Sequence, residues 1–84
     1  MECLYSITEM FETNEGITYT ITNNQIKDAE EAKVMFETRT AMMLKTSNIE
    51  ILRQQYEEDE FGFTKVKLED GSTIELAMIK LVLI

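Results

Sequence analysis

Residues Asn24–Thr46, NQIKDAEEAKVMFETRTAMMLKT, set the architecture. This is the one long segment whose apolar residues recur at helical rather than strand spacing. At about 100° per residue, Ala29, Ala32, Phe36 and Met43 share a narrow sector. Ile26, Thr40 and Leu44 flank it, and Met35 and Met42 form a shoulder. Lys27, Glu30, Glu31, Glu37, Thr38 and Lys45 occupy the rest of the circumference. The expectation is an amphipathic helix with one stripe on a core. Asn23 or Asn24 is the expected N-cap. Acids early (Asp28, Glu30, Glu31) and bases later (Lys33, Arg39, Lys45) suit the helix dipole. Methionines at this spacing read as gap-filling core rather than as a soft binding surface.

The flanking segments alternate instead. Glu2–Glu12 reads as a strand with Cys3, Tyr5, Ile7 and Phe11 on one side and Glu9 as the exception there. Thr13–Gly16 supplies turn chemistry. Ile17–Thr22 then alternates strictly, with Ile17, Tyr19 and Ile21 expected inward, which makes a β-hairpin. After the helix, Ser47–Asp59 is ambiguous. Ser47 with Glu50 resembles a capping box, and Ile49, Leu52 and Tyr56 share a helical face, which favours a second helix; a strand pairing with the next segment of the chain is the alternative. Phe61–Glu69 resumes alternation, Asp70–Gly71 reads as a two-residue type I′ turn, and Ser72–Ile84 returns as the last strand.

That last strand is apolar on both sides. Ile74, Leu76, Met78 and Val82 face one way; Ala77, Ile79, Leu81 and Leu83 face the other. Such a strand needs cover above and below. A central place in the sheet with extra cover from a second helix would supply it, as would a partner chain, most simply in a twofold homodimer. Ala77, Ile79, Leu81 and Leu83 are therefore the self-association candidates. The expected fold is α+β: an antiparallel sheet of four to five strands with one long amphipathic helix on one face, order ββα(α or β)ββ, in a single compact domain over 1–84. The expected core is Tyr5, Ile7, Ile17, Tyr19, Ile21, Ala29, Ala32, Phe36, Met43, Leu52, Val66, Leu68, Ile74, Leu76 and Met78.

The 84 residues carry 16 acids against 8 bases, a formal charge of −8. The excess lies at the strand-like ends, because Lys27–Tyr56 balances its charges. A surface like this repels nucleic acid and anionic membrane and favours basic partner surfaces. The single Cys3 forms no internal disulfide and reads as a small buried hydrophobe in a reducing, cytoplasmic setting. No amino-terminal leader pattern is visible, and Ile74–Ile84 is too short to span a bilayer.

Histidine is absent. That removes the Ser-His and Cys-His nucleophile pairs and the commonest base near neutral pH. One cysteine and no histidine make no zinc site, and the scattered Gly16, Gly62 and Gly71 make no phosphate-cradling loop. The Glu57–Glu60 run lacks calcium-loop spacing and reads as a solvated loop. No enzyme, cofactor or metal is expected. The leading expectation is an acidic inhibitor that occupies a basic, nucleic-acid-handling surface of another protein through Glu9, Glu12, Glu15, Glu57, Glu58, Asp59 and Glu60. Small, acidic, histidine-free chains of this composition are common among virus-encoded inhibitors of host defence, which would place it in the host cytoplasm. The alternative is a homo-oligomeric assembly domain, or one sequestering a small molecule between subunits, with Lys27, Arg39 and Arg53 as contacts for an anionic ligand.

Overall fold

The computed structural model describes residues 2–45, 48–57 and 60–83. The elements are β1 (Glu2–Glu12), β2 (Thr18–Ile26), α1 (Ala29–Leu44), β3 (Glu50–Glu57), β4 (Phe61–Lys67) and β5 (Thr73–Leu83). The strands form one antiparallel sheet in the order β2-β1-β5-β4-β3. α1 crosses one face above β5 and β1 and reaches β2 and β4. The fold is thus α+β, with one helical layer on a five-stranded antiparallel sheet.

β5 lies in the middle, between β1 and β4. Its two-sided apolar character matches that place, where both edges are paired. The long β1–β5 ladder runs from Glu2 opposite Leu83 to Glu12 opposite Thr73. α1 carries the chain from the β2 edge to the β3 edge.

The helix begins later than its periodicity suggests. Asp28, rather than Asn23 or Asn24, is the N-cap, and its carboxylate accepts the Glu30 N–H. The asparagines instead extend β2, which pairs with β1 as far as Ile26 opposite Tyr5 across a register shift. Ser47–Asp59 is not a second helix: within it, Glu50–Glu57 is a strand antiparallel to β4. Pairing along the β4 edge satisfies the backbone and overrides the helix preference of Arg53, Gln54 and Gln55. The capping-box residue Ser47 lies outside the described residues.

Both hairpins that flank the β1–β5 ladder use the same loop. Thr13 N–H donates to Ile17 O, and Gly16 N–H donates to Thr13 O. Leu68 N–H donates to Ser72 O, and Gly71 N–H donates to Leu68 O. Gly16 and Gly71 have φ of 88° and 92°, the left-handed region such three-residue loops require. The Asp70–Gly71 turn is therefore a three-residue loop and not the two-residue type I′ turn expected.

The core forms between α1 and the sheet: Tyr5, Ile7, Ile26, Ala32, Phe36, Met43, Val66, Leu76 and Met78. The buried hydroxyls of Thr40 and Thr64 meet at 3.5 Å beneath the helix. Ala29, Leu68 and Ile74 pack at its margin. Ile17, Tyr19 and Ile21 do not join it, being 50%, 58% and 67% exposed, and Leu52 is also exposed. Register puts Tyr19 and Ile21 on the helix side, opposite Phe11 and Glu9. A helix about 10 Å across spans only two or three strands spaced about 4.8 Å apart, so the edge strand lies beyond its cover. The side chains of Cys3, Val82 and Leu83 lie outside the described residues.

Candidate functional site

With no second helix, the opposite face of the sheet has no helical layer among the described residues. Register assigns its occupants. Gly62, Thr64 and Val66 of β4 are buried under α1, so Phe61, Phe63, Lys65 and Lys67 point the other way. Across the sheet, Ser6, Ile79 and Phe61 form one row. Thr8, Ala77 and Phe63 form the next, then Met10, Glu75 and Lys65, then Glu12, Thr73 and Lys67. Leu4 and Leu81 form the row beyond Ser6 and Ile79.

These rows divide the face in two. One half holds Leu4, Phe61, Phe63, Ala77, Ile79 and Leu81. In the other half opposite charges lie across from each other, Glu75 beside Lys65 and Glu50 beside Lys67. Cross-strand pairs of this kind are mildly stabilising and neutralise one another. The Arg53 guanidinium lies 5.2 Å from the centre of the Phe63 ring, at the boundary. Thr8 and Thr22 hydroxyls, 3.4 Å apart, form the rim toward β2. Of the self-association candidates, Ala77, Ile79 and Leu81 line the apolar half, with Ile79 51% and Leu81 42% exposed.

The acidic candidates do not form one patch. Glu57 and Glu60 flank the β3–β4 turn at the apolar end, where Glu60 N–H donates to Glu57 O. Glu58 and Asp59 lie outside the described residues. Glu12 and Glu15 are at the other end of β1. Glu9 faces the helix, where its carboxylate accepts a hydrogen bond from Arg39 Nη1 at 2.8 Å. That pairing explains the one charged residue on the inner side of β1.

At the far end the structure joins two loops whose relation the spacing alone did not give. Asn14 Nδ2 donates to Asp70 O at 3.0 Å and holds the two glycine loops side by side. Glu15, Glu69 and Asp70 belong to these two loops, and the Glu69 carboxylate accepts a hydrogen bond from Asn48 Nδ2 at 3.2 Å. The shared pattern of TNEGI and LEDGS was the available signal. The Asp70 carboxyl is held below the ordinary aspartate value, first by the Ser72 hydroxyl and then by the Ser72 N–H.

The candidate anion contacts do not converge either. Arg39 is paired with Glu9 on the helix side, Arg53 donates to Gln55 Oε1 on β3, and Lys27 lies between β2 and α1. Among the described residues no group of three or more His, Cys, Asp or Glu side chains is arranged to hold a metal. No helix there is long and apolar enough to cross a membrane. No family model, curated protein or solved structure matches the chain.

Proposed function

We propose that this protein is a non-enzymatic binding protein that docks another protein on the uncovered sheet face, with a preference for a basic contact surface such as that of a nucleic-acid-handling protein. The observation that carries this reading is the apolar half of that face. Leu4, Phe61, Phe63, Ala77, Ile79 and Leu81 adjoin one another, and charged side chains border them. An apolar centre with a polar rim is the anatomy of a protein–protein interface. Glu57, opposite Phe61, borders it on one side, with Glu60 next in the turn, and the chain's charge of −8 steers a basic partner toward it. An inhibitor of a host defence protein, encoded by a virus, fits this chemistry.

The test is capture from a cell lysate on the immobilised chain at two salt concentrations, in parallel with Ile79→Lys and with Glu57→Lys/Glu60→Lys. The expected result is a partner rich in Lys and Arg, released as salt rises and retained at least tenfold less by each variant. Equal capture by Ile79→Lys and the parent chain, insensitive to salt, contradicts the proposal.

A further inference from the structure

A second group of exposed apolar side chains lies on the helix side of the sheet. Ile17 just before β2, Tyr19 and Ile21 on it, and Val34 and Met42 on α1 are all half or more exposed. They lie together. One groove joins Ile21 and Asn23 to Met35 and Arg39, and it continues along α1 past Val34, Thr38 and Met42. We propose that this edge is a dimerisation site, at which a second copy of the chain pairs its own β2 antiparallel to this one and continues the sheet across the seam.

The two edges of the sheet are built differently. β3 carries Glu50, Arg53 and Glu57 and has a register irregularity between Ile51 and Arg53, features that discourage strand addition. β2 carries none of these charges. It belongs to Gly16–Ile26, the longest uncharged run in the chain, and it has no proline. Its β-branched and aromatic residues favour an extended partner.

A second copy fits better than a foreign strand for two reasons. Two chains of −8 each repel, so they meet most readily where the surface is uncharged. β2 is such a surface, and the Glu9–Arg39 pair beside it is internally compensated at 2.8 Å. A twofold axis perpendicular to the sheet also pairs β2 with itself antiparallel and sets the Tyr19 and Ile21 side chains of the two copies against each other on the helix side.

The strip is long enough for a reversible dimer. A nine-residue strand is about 30 Å long. Each chain contributes on the order of 400 Å² along it, the size of a weak, reversible contact. The dimer should accordingly form in the micromolar range.

Sedimentation equilibrium on the full chain, from low to high micromolar, tests this. The mass should rise from 9.8 kDa toward twice that value. Ile21→Lys and, separately, Tyr19→Lys should keep the parent circular dichroism and weaken dimerisation at least tenfold. Both positions face water in the single chain, so folding tolerates the change. Ile79→Lys, on the other face, should leave the dimer intact, which separates this inference from the proposed docking function. A parent chain that stays at 9.8 kDa at high micromolar concentration overturns the proposal. So does a dimer that survives both edge variants, or one that Ile79→Lys dissolves. Binding of a foreign peptide at β2 by a chain that remains monomeric also counts against it.

Discussion

Gly62 is the residue on which the packing of α1 depends most tightly. A Cβ built there would lie 2.7 Å from two ring carbons of Phe36. That ring is itself buried and stacks on Tyr56 with centroids 5.9 Å apart, so it has little room to yield. Gly62→Ala should therefore destabilise the fold by about 1–3 kcal/mol, read as a lowered midpoint in urea. The alternation of β4 was legible in the sequence, but the ring above Gly62 was not, because that approach is a tertiary fact. Asp70 supplies a second prediction at this scale. Its carboxyl is held below 3.8, the ordinary aspartate value, by the hydroxyl and N–H of Ser72. A lowered folded-state value adds stability that is present above the ordinary pKa and is lost as pH falls through the lowered one. An NMR titration should place the Asp70 midpoint below that of an unstructured aspartate, and Ser72→Ala should move it upward. An unchanged midpoint in Ser72→Ala would refute the assignment.

At the scale of elements, the two glycine loops and the β3 edge are the instructive cases. Gly16 and Gly71 both occupy positive φ, where a side chain costs roughly 1–2 kcal/mol. Gly71→Ala and Gly16→Ala should each lower the thermal midpoint by several degrees, and asparagine at either site should cost less than alanine. Equal stability of Gly71→Ala and the parent would contradict the loop geometry. The glycines, the hairpins and the helix stripe could all be read from local chemistry. The helix start could not, since Asn23, Asn24 and Asp28 are all competent caps and only the β1 ladder claims the asparagines for β2. β3 was ambiguous for a related reason. Its residues are good helix formers, every one is exposed, and only the open edge of β4 makes it a strand.

The whole molecule is shaped by a mismatch between one helix and a sheet of five strands. α1 shelters the middle of one face, and among the described residues the β2 edge, the flank of α1 beside it and half of the opposite face stay apolar and open. The parity of β5 made Ala77, Ile79 and Leu81 legible as one apolar side of the strand, and of these Ile79 and Leu81 are exposed. The exposure of Ile17, Tyr19 and Ile21 was not legible, because alternation gives the side of a strand and not its distance from the helix. The acidic candidates were legible as a charge excess and not as a patch, since Glu9 turns inward to Arg39 while the others divide between opposite ends of the sheet. The proposed docking function requires contact at the uncovered face. Carbene footprinting of the isolated chain and of its captured complex reads that contact residue by residue. Strong labelling of Ile79 and Leu81 in the isolated chain, suppressed severalfold in the complex, is the result predicted; labelling at both residues unchanged by complex formation would contradict it.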